Sequence, residues 1–185
     1  MKTTLFTLAV IAAVVGLSFA AGKDKPPVAD HQIGEFKIGA HIAGPEVSEA
    51  DLKGKAVLID AWGIHCGPCL ASLPDIEKIA KRYKDKMVVI GAHSQNATDD
   101  EVKEVVKKNR LSYTITKGVN GPVDFNAIPH VFVFDATGEM LFEGHPADKE
   151  FEKAIRKSVQ GGSTTTAPSA LDSLKPASGT ATTTR

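Results

Sequence analysis

The chain has 185 residues and a mass of 19.6 kDa, room for one ordinary domain with extensions and too little for two sizeable ones. Apolar residues make up 42% and charged residues 24%, a balance that lets a soluble domain bury a core, and basic and acidic residues both total 22, which argues against a strongly basic nucleic-acid binder. Cys66 and Cys69 are the only cysteines, so a disulfide-dense miniprotein and a four-cysteine zinc or iron–sulfur site within the chain are excluded.

Residues 1–20 read as a secretory signal peptide. Lys2 supplies the charge, Leu5 to Leu17 form an uncharged apolar core, and Ser18-Phe19-Ala20 puts small residues at a cleavage site after Ala20. The apolar run is shorter than the roughly 20 residues of a membrane span. An uncleaved N-terminal anchor is the alternative. The expected location is extracytoplasmic, periplasmic or secreted, a setting in which protein disulfides form and need managing. Residues 21–34 read as a linker, 35–160 as the folded domain, and 161–185, rich in Ser, Thr, Ala and Pro, as a disordered tail with too few large apolar residues to offset its ordering.

Within the domain, Ala56 to Ala61 is a short, branched apolar run that fits a strand buried on both faces. Cys69 to Tyr83 carries Leu70, Leu73, Ile76, Ile79, Ala80 and Tyr83 at spacings of three and four, the pattern of an amphipathic helix, with Pro74 inside it. Met87 to Ala92 predicts a second buried strand. Asp99 to Asn109 predicts a helix with acidic residues favourably placed at its start. Val131 to Asp135 and Glu139 to Glu143 flank Ala136-Thr137-Gly138, the signature of a β-hairpin, and Asp148 to Val159 predicts a last helix. The order implies an α/β fold: a mixed central sheet with helices on both faces and a C-terminal antiparallel hairpin.

Cys66-Gly67-Pro68-Cys69 stands between a buried strand and a helix N-terminus. The positive end of the helix and its unpaired N–H groups favour a thiolate, which is the nucleophilic form of cysteine. Pro68 is tolerated in a first turn because its missing N–H has no partner there. Cys66, nearer the N-terminus, is expected to attack a substrate disulfide, and Cys69 to resolve the mixed disulfide. A bridge that closes so short a loop adds little as a structural staple.

The stretch VLIDAWGIHCGPC resembles the strand and active-site segment of the thioredoxin superfamily, with Trp62 four residues and Asp60 six residues before Cys66. Pro74 matches the family's helix-kinking proline, Ile128-Pro129 its cis-proline beside the disulfide, and Gly144 the glycine after the hairpin. The Leu52-Lys53-Gly54-Lys55 lead-in, the insertion before Pro129 and the export signal are similar to the extracytoplasmic TlpA/ResA-type proteins. The resemblance implies a thioredoxin-like fold and a thiol–disulfide oxidoreductase. It further implies that Asp60 is buried and relays a proton to Cys69, and that the backbone beside Ile128-Pro129 pairs with an extended substrate segment. Gly67 and Pro68 would face that substrate. Disulfide-containing proteins, apocytochrome c or misoxidised envelope proteins among them, are the implied partners, with an upstream membrane electron donor. A monomer without resident cofactor or metal is expected.

His65 stands where thioredoxins usually place tryptophan, and many TlpA/ResA-type proteins carry Asn near the Asp60 position and a different dipeptide between the cysteines. Gly-Pro leans toward a reductant, while a protonated His65 would favour the thiolate and a more oxidising couple. Trp62 is either core filler or a wall of the site. A competing reading is a copper-handling module built from Cys66, Cys69 and a histidine, since soft thiolates select Cu(I). His65, His93 and His130 either line one pocket or are ordinary histidines near the surface.

Overall fold

The computed structural model describes residues 30–160. The expected signal peptide (1–20), most of the expected linker and the expected tail (161–185) lie outside the described residues. Among the described residues no helix is long and apolar enough to cross a membrane.

In chain order the elements are a single 3-10 turn (Ile33–Glu35), β1 (Lys37–Ile38), β2 (His41–Ala43), α1 (Glu49–Leu52), β3 (Ala56–Trp62), α2 (Gly67–Arg82), β4 (Met87–His93), α3 (Asp99–Asn109), β5 (Thr114–Lys117), β6 (Val119–Asn120), β7 (His130–Phe134), β8 (Met140–Gly144) and α4 (Lys149–Gln160). Six strands form one mixed sheet in the order β2-β5-β4-β3-β7-β8. The β3–β4 and β4–β5 pairs are parallel, and the other pairs of the sheet are antiparallel. β1 and β6 make a separate two-stranded ribbon.

Parallel neighbours need a crossover, and crossovers are right-handed. The steps β3-α2-β4 and β4-α3-β5 move across the sheet in the same direction, so both helices fall on one face. Their apolar stripes meet there: Leu73 and Ile76 from α2, Val102 and Val106 from α3, joined by Phe151 and Ile155 from α4. The opposite face is covered by Phe36, Val119 and Phe125, with Ile33 of the 3-10 turn and Leu52 of α1. Helices therefore lie on both faces, as expected, with the three long ones together.

β3 is buried along its whole length because it is the strand between β4 and β7 with a core on either side. Its residues alternate between the two faces. Leu58 and Trp62 join the α2 face, Val57 and Ile59 the other, and Asp60 therefore falls on the α2 face. By the same alternation His93 follows Met87 and Val89 onto the α2 face, whereas His130 follows Phe132 and Phe134 onto the opposite one.

The structure adds elements that the patterns left unassigned. Tyr113, just before β5, and Ile115 within it join the α2-face core and alternate with Thr114 and Thr116, and the threonines mask the apolar pattern. β1, β2, β6 and α1 have two to four residues each, too few to carry a period. Residues before 35 also pair with the hairpin: Met140 N–H donates to the His31 carbonyl at 2.9 Å and Ile33 N–H to that of Gly138 at 2.9 Å.

Candidate active site

α2 begins at the cysteine motif. Cys66 is the residue before the first helical position, in an extended conformation, and its sulfur accepts the Cys69 N–H at 3.2 Å. Sulfur here replaces the oxygen that usually satisfies a first-turn amide. Gly67 and Pro68 complete that turn and are exposed, and Pro68 removes one N–H that would otherwise lack a partner. Pro74 lies inside the helix, as its position predicts.

Cys66 and Cys69 form a disulfide across a Cα separation of 5.2 Å. Cys66 keeps 9% of its surface exposed and Cys69 none, so of the two cysteines only Cys66 retains accessible surface. The Ile128–Pro129 peptide bond is cis. It brings the Ile128 carbonyl oxygen to 3.6 Å from Cys66 Sγ, a contact and not a hydrogen bond, since a disulfide sulfur has no proton to donate. Ile128 is half-buried and Pro129 buried.

Asp60 is fully buried, and neither of its carboxylate oxygens makes a hydrogen bond to protein. Burial penalises its charged form and pushes its pKa up to about 7. Trp62 is also fully buried, packing edge-on against His93 with ring centroids 5.4 Å apart, so it belongs to the core behind the disulfide and offers no surface to a substrate. Gly91 is the partner of Asp60 in the neighbouring strand. A Cβ added there would lie 2.9 Å from Tyr113 Cε2 and 3.1 Å from Trp62 Nε1, so the missing side chain leaves room for both rings beside the carboxyl. Burial, and then the negative charges of Asp60 and Glu77, hold the Tyr113 hydroxyl well above its ordinary pKa.

The three histidines do not converge. His65 is exposed on the turn before Cys66. His93 is buried, and its Nε2 accepts the Ile64 N–H at 3.3 Å; burial first, and the nearby His65 second, depress its pKa. His130 sits on the other face of the sheet, stacked on Phe125 at 5.2 Å and 2.8 Å from Glu143 Oε2. The sheet separates it from the other two, so of the two readings of these histidines the shared pocket does not hold. Among the described residues no group of three His, Cys, Asp or Glu side chains is arranged to hold a metal ion, and the copper reading is not favoured. Gln95, which the sequence reading passed over, accepts the His65 N–H at 2.8 Å. Its position in the loop at the C-terminal end of a parallel strand was the available signal, because open α/β sheets gather their sites there.

Comparison with known proteins agrees with this geometry. The redoxin family matches residues 28–157. The thioredoxin-like protein YneN of Bacillus subtilis (strain 168) is 28% identical over 121 residues, which cover 62% of this chain and 71% of that one. The thiol–disulfide oxidoreductase ResA of Bacillus anthracis is 28% identical over 160 residues, 81% of this chain and 91% of that one. Among solved structures, a thiol:disulfide interchange protein of the thioredoxin family from Chlorobium tepidum TLS superposes with a TM-score of 0.57 at 22% identity, covering 71% of this chain and 98% of that one, and so shares the fold. The chain belongs to the redoxin family, as a TlpA/ResA-type thiol–disulfide oxidoreductase of the thioredoxin superfamily.

Proposed function

We propose that the protein is exported and reduces disulfides in other proteins by dithiol exchange. The observation that carries this reading is the position of the Cys66–Cys69 pair: Cys66 keeps a little accessible surface at a helix N-terminus with its sulfur beside the Ile128 carbonyl, and Cys69 is fully buried one turn further on. In the reduced protein the Cys66 thiolate attacks one sulfur of a substrate disulfide. A mixed disulfide forms, and the first substrate thiolate leaves and takes up a proton. Cys69 then loses its proton to Asp60 and attacks Cys66 Sγ, which releases the second substrate thiol and closes the Cys66–Cys69 bridge. Two electrons pass from the pair to the substrate. A carboxyl whose pKa is about 7 suits the proton step at neutral pH.

The segment ending at Ile128-Pro129 lies beside the reacting sulfur, so an extended substrate can pair with its backbone there while Gly67 and Pro68 form the opposite, exposed rim. Trp62 backs the site without touching substrate, and His65 tunes the couple from its exposed position on the turn before Cys66. Export follows from the features of residues 1–20, and an exported reductant needs an upstream membrane electron donor to be used more than once. The protein acts as a monomer on disulfide-containing clients.

Cys69→Ser decides between this and mere structural bridging. The variant traps client proteins as mixed disulfides on Cys66, released by dithiothreitol, and the wild type reduces insulin; no trapped species and no insulin reduction would overturn the reading. Equilibration with glutathione fixes the direction. A potential near thioredoxin's, about −270 mV, supports a reductant, and one near about −120 mV assigns an oxidant.

A further inference from the structure

The approach to Cys66 is a tight turn, and its two central amides are satisfied from a different element. Cys66 N–H closes the turn on the Gly63 carbonyl at 3.2 Å. The N–H groups of Ile64 and His65 have no acceptor inside such a turn. Ile64 donates to His93 Nε2 at 3.3 Å and His65 to Gln95 Oε1 at 2.8 Å. Between these two, the Ser94 N–H donates to the Trp62 carbonyl at 2.8 Å and carries the β3–β4 pairing past the strand ends. Gly63 is part of the same fit, since a Cβ there would run into the Gln95 side chain.

His93 can accept from Ile64 only with its Nε2 unprotonated, and burial of the ring favours that neutral form. The ring also packs against Trp62 in a T-shaped arrangement, centroids 5.4 Å apart. Gln95 by contrast is half-buried on the loop and serves no core. Both side chains therefore spend their polar atoms on the backbone of the turn that delivers Cys66 to the start of α2.

We infer that His93 and Gln95 are positioning residues for the attacking cysteine: a two-point clamp that holds the Gly63–Cys66 turn so that Cys66 Sγ meets the Cys69 N–H and the open end of the helix. The inference rests on the reading of Cys66 as the nucleophile. Loosening the clamp takes stabilisation from the Cys66 thiolate, which slows its reaction and leaves the reduced pair less favoured relative to the bridge.

The test uses the full chain in four forms: wild type, His93→Leu, His93→Gln and Gln95→Ala. It reads iodoacetamide alkylation of Cys66 at neutral pH and the fraction reduced in a fixed glutathione buffer. His93→Leu and Gln95→Ala are each expected to slow alkylation about threefold to tenfold, the range one lost hydrogen bond supports, and to shift the glutathione equilibrium by a similar factor toward the bridge. His93→Gln, whose amide oxygen can accept the Ile64 N–H, returns both readouts toward wild type. Gln95→Ala removes a loop side chain and keeps the fold, so its result stands even where His93→Leu is too unstable to study. Values for Gln95→Ala within about twofold of wild type on both readouts, or a His93→Gln variant no closer to wild type than His93→Leu, overturn the clamp. A wild-type pair that does not cycle at all overturns the redox reading itself, and the clamp with it.

Discussion

Asp60 is a carboxyl group with no exposed surface and no hydrogen bond to protein, and its consequences have a definite sign. Its folded pKa of about 7 lies above the 3.8 of an ordinary aspartate, so the folded protein holds the proton more tightly than the unfolded chain. The stability this allows is complete below about pH 4 and is lost as pH rises toward 7 and beyond, by a total on the order of 4 kcal/mol. Asn lacks the ionisation. Asp60→Asn should match wild type in urea denaturation near pH 4 and exceed it near pH 8 by a few kcal/mol, while on the proposed mechanism insulin reduction at neutral pH slows by about tenfold or more because Cys69 loses its proton acceptor. Equal stability of the two proteins at both pH values would show that Asp60 titrates as an ordinary surface carboxylate. In the proposed mechanism the gain in stability and the loss in rate belong together, since the buried carboxyl that costs stability is the one that takes the Cys69 proton.

At the scale of elements, α2 is tied to the segment before β5 by a second buried carboxylate of opposite behaviour. Glu77 accepts Ser112 N–H at 2.9 Å and Ser112 Oγ–H at 2.7 Å, and Lys81 Nζ lies 2.9 Å away. Burial alone would raise its pKa, but these donors and the lysine charge outweigh burial and hold it below the ordinary value. Here the unfolded chain binds the proton more tightly. The stabilisation is present above the ordinary glutamate pKa and disappears as pH falls through the lowered one. Glu77→Gln should therefore cost roughly 1–3 kcal/mol at pH 7 and progressively less in acid, read as converging urea midpoints. A constant difference across that range would assign the loss to packing. Nothing in the sequence pointed to this tie: Glu77 looks like any polar position of an amphipathic helix, and its partner is 35 residues away. The helix itself was legible from the spacing of Leu70, Leu73 and Ile76, and its start from the cysteines. β5 was not, because threonine is counted polar although Thr114 and Thr116 are buried. The same division runs through the site. The Cys66–Cys69 pair stood out by its spacing and its place before a helix, and Asp60 and Pro129 by resemblance to the thioredoxin superfamily, whereas Gln95 and Gly91 make contacts between distant segments that only the folded register creates.

For the molecule as a whole, the sheet divides the protein into a chemical side and a supporting side. The disulfide, Asp60, Trp62 and His93 share the face of the three long helices, while Phe36, Phe125, Phe132 and Phe134 fill the other. Phe132 is fully buried there, with Phe36, Phe125 and His130 ring centroids at 5.2, 5.6 and 4.9 Å. Its backbone pairs with Ile59, one residue from Asp60, so the two sides meet back to back across the sheet there. Interiors are packed densely enough that deleting the ring leaves a cavity the surroundings fill only in part. Phe132→Ala should cost about 3–5 kcal/mol in urea denaturation, a large share of the stability of a domain this size. The sheet hydrogen bonds persist, however, and the ring neighbours that Phe132 loses, Phe36, Phe125 and His130, are all on the aromatic face. Cys66 alkylation in the folded variant should therefore stay within about twofold of wild type, because thiolate reactivity depends on the helix N-terminus and its local donors. A large change in alkylation with the fold intact would mean that the aromatic side reaches the sulfurs through the backbone of β3 and β7, and that the two faces work as one unit.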